Sequence, residues 1–134
     1  MELEFLYEAK VKVLPGVDIG LVPEGRRIDF PFSGEVNGPK IRGKMEGVDY
    51  VTIRPDGALL HVHGIITTDG GDRISVEVSA FTIPSKDGGP SIVKGVLSFR
   101  TSSKELSWLN TTQGIEEGFS DMKRRELSAK VYKL

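Results

Sequence analysis

Glycine-containing turn signals recur along this chain at intervals of nine to eighteen residues, and their spacing constrains the fold more than any other feature. Glycine, asparagine and aspartate tolerate the positive φ that tight hairpins require. Short connections of this kind make sequential strands antiparallel neighbours. The signals are Asn37-Gly38, Glu46-Gly47, Pro55-Asp56-Gly57, Asp69-Gly70-Gly71 and Asp87-Gly88-Gly89.

Between the turns, apolar and polar residues alternate with period two, as from Glu2 to Val13, and this indicates strands with one dry face. The segment from Ile115 to Arg125 is interrupted by Gly118 and is expected to be loop or one helical turn. Strands are predicted near residues 2–13, 27–36, 39–45, 48–54, 58–68, 72–83, 90–101, 105–112 and 125–134.

Many strands in a short chain must bury their faces and hide their edges, which favours closure into a barrel. The 134 residues fit one domain spanning 1–134, and a chain of this size buries enough surface for a proper core. We therefore predict an all-β fold, a single antiparallel meander barrel of about eight or nine strands with little or no helix.

The charge balance and the amino terminus exclude several classes of partner. Eighteen basic and nineteen acidic residues give a net charge of -1, too balanced for nucleic acid binding. No apolar run reaches membrane-spanning length, and carboxylates stand where a signal peptide needs positive charge. The absence of cysteine removes disulfides and thiolate chemistry. We expect a cytoplasmic protein without membrane or nucleic-acid partners.

Several short motifs occur in order along almost the whole chain. They include Gly25-Arg26-Arg27, Val48-Asp49-Tyr50, Arg54-Pro55-Asp56-Gly57, Phe99-Arg100-Thr101, Trp108-Leu109-Asn110 and Val131-Tyr132. In this respect the chain resembles the UPF0311 family, also called DUF3237. The resemblance implies a calycin-like or allene-oxide-cyclase-like β-barrel with a central cavity, and it implies no settled biochemical function.

The two histidines of the chain, His61 and His63, stand two apart on a predicted strand, so both imidazoles leave the same face. If the Asp69-Gly70-Gly71 hairpin pairs Thr67 with Arg73, His63 faces Glu77, and the carboxylate can orient a general base. If Thr67 pairs with Asp72 instead, His63 faces Val76. Sequence alone leaves three alternatives for the pair: a lumenal acid/base, solvated outer residues, or two ligands of a metal ion.

Four further side chains are candidates for ligand binding. Trp108 and Asn110 share a face of a predicted strand and offer an aromatic wall beside an amide. Asp49 lies on an apolar row, where it either points into a wet cavity with a raised pKa or caps the Glu46-Gly47 turn. Arg27 is a candidate anion clamp.

Our leading hypothesis is a barrel that binds a small apolar or aromatic molecule in its lumen. Any reaction is expected to be a cofactor-independent isomerisation, lyase or cyclisation step, with His61 or His63 as acid/base, Glu77 or Asp49 orienting it, and Arg27 or Asn110 stabilising an oxyanion. The alternatives are a non-catalytic barrel that associates with itself as a homodimer or larger homo-oligomer, and a metal site on His61 and His63.

Overall fold

The structure is a computed structural model that describes residues 2–134. Almost all of this part of the chain alternates between strands and short turns, with one short 3₁₀ helix at Ser107–Thr111. The strands are β1 (Glu4–Val13), β2 (Val17–Val22), β3 (Gly25–Asn37), β4 (Arg42–Arg54), β5 (Gly57–Thr68), β6 (Arg73–Ile83), β7 (Ser91–Thr101), β8 (Gly114–Asp121) and β9 (Glu126–Lys133).

The strands form an antiparallel meander that closes into an eight-stranded barrel with one extra strand. The order is β1-β9-β8-β7-β6-β5-β4-β3, and β1 also pairs with β3 to complete the circle. Strand β2 pairs with the first part of β3, while β1 pairs with its second part. The predicted all-β barrel fold is confirmed.

Three of the predicted turns are confirmed, since Gly57, Gly71 and Gly88 all have positive φ. The expected turn at Gly47 is wrong, because β4 runs unbroken through that position. A Cβ on Gly47 would lie 2.1 Å from the carbonyl oxygen of His63, so this glycine permits close approach of two strands. The predicted strands 39–45 and 48–54 are therefore one strand.

Three other segments also differ from the sequence-based expectation. Strand β2 lies between the first two predicted strands, where none was predicted, and β8 occupies most of the segment expected to be loop or one turn. The predicted strand 105–112 is instead the 3₁₀ helix with its flanking residues. Leu106 and Leu109 of this segment are buried, so their spacing of three residues serves a helical turn and not a strand.

The segment with the 3₁₀ helix closes one end of the barrel, which we call the closed end. It lies with the β3–β4 and β5–β6 turns. Apolar side chains from this segment and from the strands around it are completely enclosed, among them Val36, Ile41, Ile74, Phe99 and Leu109. The opposite end, where the β4–β5, β6–β7 and β8–β9 turns lie, is called the open end. No helix among residues 2–134 is long and apolar enough to cross a membrane.

Candidate functional site

The lumen contains a small cavity that continues into a larger depression at the open end. The inner cavity measures about 50 Å³, which is room for a few water molecules. The depression, which we call the mouth, measures about 330 Å³. Both spaces are lined mainly by apolar side chains, and they share Val13, Phe30, Asp49, Leu60 and Leu127.

Asp49 is the polar residue at the junction of the two spaces. It pairs with Phe30 on β3 and with Val62 on β5, and all three side chains line the inner cavity. Its Oδ1 atom is buried and has no hydrogen-bond partner among the described residues. Burial, with a smaller contribution from the charge of Glu116, raises the pKa of Asp49 to about 7. Of the two sequence-based alternatives, the cavity position is the one observed, and the turn cap is wrong.

Glu116 is the second carboxyl group of the inner cavity. It lies on β8 between Gly95 of β7 and Val131 of β9. Burial raises its pKa to about 7 as well. Asp49 on β4 and Glu116 on β8 line the inner cavity from opposite sides of the barrel, and the charge of Glu116 contributes to the raised pKa of Asp49. Near neutral pH the pair therefore favours states in which at least one carboxyl group holds a proton.

Tyr7 adds a hydroxyl group to the two carboxyl groups. Its side chain is 1% exposed and lines the inner cavity, and its hydroxyl is buried without a hydrogen-bond partner among residues 2–134. Tyr7 and Glu116 are both register partners of Val131, so they lie at the same level of the barrel, two strands apart. Burial, and secondarily the charge of Glu116, raises the pKa of Tyr7, which keeps the phenol neutral and able to donate a hydrogen bond.

Asp49, Glu116 and Tyr7 are polar residues in a lumen that is otherwise apolar, and the Asp49 Oδ1 and Tyr7 hydroxyl atoms have no hydrogen-bond partner among the described residues. Buried polar groups in folded proteins are nearly always paired, and leaving one unpaired costs about 1–3 kcal/mol. A neutral phenol donates, an ionised carboxylate accepts, and a protonated carboxyl group does both. The lumen thus presents both hydrogen-bond donors and acceptors, and its two carboxyl groups can take up or release a proton near neutral pH.

The structure places His61 and His63 on the outer face of the barrel, so the pair does not line the lumen. The β5–β6 hairpin pairs Thr67 with Arg73, so His63 faces Glu77. This is one of the two registers considered from the sequence. Inward positions on β5 are the even-numbered ones, including Leu60, so the odd-numbered histidines point outward. Their side chains are 48% and 56% exposed.

Arg27 also lies on the outer face. Its Nε donates to Asp29 Oδ1 over 2.6 Å, and its guanidinium lies 5.0 Å from the centre of the Tyr50 ring. The other two candidates lie at the closed end. The Asn110 side chain accepts from the Thr101 backbone N–H and donates to the Thr101 carbonyl, over 2.8 and 2.9 Å. Asn110 therefore fastens the 3₁₀ helix to β7.

Trp108 lies outside the lumen between two lysines. The ammonium groups of Lys40 and Lys133 are 5.5 and 5.2 Å from the centre of the Trp108 ring. Trp108 also packs against the buried core from one side. Of the ligand-binding candidates predicted from sequence, the structure brings only Asp49 into the lumen.

Sequence reasoning missed Glu116 and the role of Tyr7. In β8 the residues that face the lumen are Gly114, Glu116 and Gly118, while the apolar Ile115 and Phe119 face outward. A prediction of the inward face from hydrophobicity is therefore wrong for this strand. Tyr7 belongs to an apolar row and resembles an ordinary core residue. The one available signal was a carboxylate framed by two glycines in a segment too short for a helix.

Solved structures share this architecture over nearly their full length. A protein of unknown function from Clostridium acetobutylicum has a TM-score of 0.89 at 24% identity, covering 100% of this chain and 99% of that one. A β-barrel-like protein from Acinetobacter baumannii has a TM-score of 0.90 at 21% identity, with 98% and 94% covered. An enzyme from Penicillium herquei has a TM-score of 0.75 at 24% identity, with 98% and 93% covered.

At these identities the likeness establishes the shared fold. No curated protein matches the sequence. The family model described as protein of unknown function (DUF3237) matches residues 1–134, as the ordered motifs predict, and the chain belongs to this family.

Proposed function

We propose that the lumen binds a small, mainly apolar molecule with one polar group, and that Asp49 and Glu116 exchange a proton with that group. The observation that carries the proposal is the buried Asp49 Oδ1, which has no partner among the described residues and lies where the inner cavity meets the mouth. An apolar pocket with a few convergent polar groups is the usual form of a small-molecule site.

The two spaces suit different parts of such a molecule. The mouth, at about 330 Å³, falls within the usual range for ligand pockets, whereas the inner cavity of about 50 Å³ admits only a small polar group or water. The apolar body thus occupies the mouth, and its reacting atom reaches Asp49. Glu116 and Tyr7 approach the same atom from the inner side.

The electrostatics of the pair fit proton transfer at neutral pH. General acids and bases work best when their pKa lies near the working pH, and burial brings both carboxyl groups to about 7. One carboxylate takes a proton from carbon or oxygen while the other, protonated, returns one elsewhere. The neutral Tyr7 hydroxyl stabilises oxyanion charge that develops between them.

This scheme supports an isomerisation, lyase or cyclisation that proceeds without a cofactor. It also limits the ligand, because an anion brought near Asp49 and Glu116 would meet their negative charge. The expected ligand is neutral or cationic. The acid/base role passes from the histidines of the sequence-based hypothesis to the lumenal carboxyl groups.

The first experiment tests binding and uses Nile red, a neutral dye that becomes fluorescent in apolar surroundings. Saturable binding is expected for the wild type and for His61→Ala/His63→Ala, which alters only the outer face. Leu60→Trp, which narrows the junction of the two spaces, should abolish it. Equal binding by wild type and Leu60→Trp would place the dye elsewhere and contradict the lumenal site.

The second experiment tests proton exchange. The probe is cyclohexanone in D₂O, with loss of its α-protons followed by NMR. We expect exchange above the buffer rate for the wild type and the histidine double variant, and a loss of at least about a hundredfold for Asp49→Asn. Unchanged exchange in Asp49→Asn would contradict acid/base action by this pair.

A second candidate function is supported by a different observation. Ile83, Ile92 and Phe119 pair laterally across β6, β7 and β8 on the outer face, and they are 42%, 38% and 56% exposed. An apolar row of this kind is suited to contact with a second copy of the chain. Sedimentation of Phe119→Lys against the wild type tests this: a dimer that dissociates in the variant supports self-association, and a monomeric wild type contradicts it.

A further inference from the structure

On the outer face, three potential metal ligands converge at one point. His61 Nε2 and His63 Nε2 are 2.9 Å apart, and Glu77 Oε1 lies 3.4 Å from the first and 3.5 Å from the second. All three side chains are about half exposed, so solvent reaches them directly. Within residues 2–134 this is the one group of three such residues whose ligand atoms lie this close together.

The three distances fit the coordination sphere of a small divalent ion. A point equidistant from the three atoms lies about 1.9 Å from each, slightly less than the 2.0–2.1 Å of Zn–N and Zn–O bonds. An ion at bonding distance therefore sits less than about 1 Å above the plane of the three atoms. Because the three side chains are about half exposed, the outer side of such an ion is open to solvent.

The fold holds the three groups in place. His61 and His63 are two residues apart on β5, which puts both imidazoles on one face, and Glu77 is the register partner of His63 on β6. Tyr50 of β4 flanks the pair, with ring centres 6.5 Å from His61 and 5.9 Å from His63. Arg27, the nearby cation, is paired with Asp29 and directed to the Tyr50 ring.

We infer that His61, His63 and Glu77 form a binding site for one first-row divalent transition ion of the Zn²⁺, Cu²⁺ or Ni²⁺ class. Two imidazole nitrogens favour these ions over Mg²⁺ and Ca²⁺, which prefer oxygen ligands. Three protein ligands leave at least one coordination position for water or an external donor. The site lies outside the lumen, so it is independent of the proposed acid/base chemistry.

Direct titration with Zn²⁺ in competition with a chromophoric chelator tests the site on the untagged full chain. We expect one ion per chain, with affinity reduced at least about tenfold in His61→Ala and in His63→Ala, and reduced in Glu77→Gln. Glu117→Gln is the matched control, because Glu117 is an exposed strand carboxylate that pairs with Lys94 and not with histidine. All four residues are exposed, so the variants are expected to fold.

Spectroscopy gives an independent test, because the chain has only two histidines. Cu²⁺ bound to the wild type should show two nitrogen ligands by electron paramagnetic resonance, and Zn²⁺ should shift the ¹⁵N resonances of both Nε2 atoms. Zn²⁺ binding of equal strength in wild type and both alanine variants, no binding at all, or a single nitrogen ligand would each overturn the inference.

Discussion

The closed end of this barrel is filled by its own side chains, whereas the open end, built from the same strands, keeps a cavity. At the closed end, apolar side chains such as Ile41 and Leu109 are 1% and 0% exposed, and Asn110 satisfies both backbone groups of Thr101. Toward the open end, the lumen keeps empty space, and Asp49 has a buried oxygen with no partner among the described residues. The difference separates a part that stabilises the fold from a part that has unused binding capacity.

The comparison also explains why candidate residues of similar chemistry have different roles. Asn110 and Asp49 are both partly buried polar side chains on a mainly apolar background. The Asn110 carbonyl and amide groups each bind a backbone group of Thr101, which fixes the side chain against β7. Asp49 lacks such partners, and its position is stabilised only by the strands around it. Hydrogen-bond satisfaction, more than residue type, distinguishes the two.

The largest expected effect is at the closed end. Leu109→Ala should lower the free energy of unfolding by about 3 kcal/mol, because it leaves a cavity in a fully enclosed cluster. Ile53→Ala, at a mouth residue that is 43% exposed, should change it by less than about 1 kcal/mol. Urea denaturation measures both, and similar losses would remove the proposed distinction between the ends.

The next effect is a pH-dependent change in stability and concerns Asp49, toward the open end. The pKa of Asp49 is raised in the folded state, so the folded protein binds more protons than the unfolded chain, and stability is lost as pH rises from about 4 to about 7. Asp49→Asn removes this penalty. It should match the wild type near pH 4 and be more stable by about 2–4 kcal/mol at pH 8, since a shift of about three pKa units is worth about 4 kcal/mol at most.

Thermal unfolding of the two proteins across this pH range provides the measurement. Glu126→Gln serves as the matched control, since Glu126 is an exposed carboxylate that pairs with Lys12 on the surface. A constant difference between Asp49→Asn and wild type at all pH values would show that the carboxyl group of Asp49 is not perturbed by burial.

A smaller effect is expected for Asn110→Ala. Losing the two hydrogen bonds to Thr101 should cost about 1–2 kcal/mol of stability and leave Nile red binding unchanged. Denaturation and dye titration on the same preparation separate the two roles. If the variant loses dye binding without losing stability, the closed end contributes to the ligand site after all.

The smallest expected effect on stability is that of Tyr7→Phe. The hydroxyl has no partner among the described residues, so its removal should leave the melting temperature equal to or slightly above that of wild type. A loss of about 1 kcal/mol or more, measured by denaturation, would reveal a hydrogen bond to ordered water in the inner cavity.

The sequence predicts the barrel well because hairpin turns and period-two alternation are local properties of the chain. The lumenal position of Asp49 was one of two alternatives predicted from the sequence, since a carboxylate on an apolar row stands out. The face on which His61 and His63 lie was undecided because β5 has apolar residues on both faces, with Leu60 buried and Leu59 exposed. Glu116 was missed because the apolar residues of its strand lie on the outer face, so the hydrophobic pattern of the sequence predicts that Glu116 faces solvent.

The pairing of β1 with β9, which joins Glu4 to Lys133, has a consequence for folding kinetics. All other neighbours in the barrel are close in sequence, so they can form early, whereas this seam closes a loop of nearly the whole chain. The lumen is complete only when the seam forms, and only then do Asp49 and Glu116 lose their water. Ionisation of these carboxyl groups should therefore slow the last step of folding, and refolding should be slower at pH 8 than at pH 5.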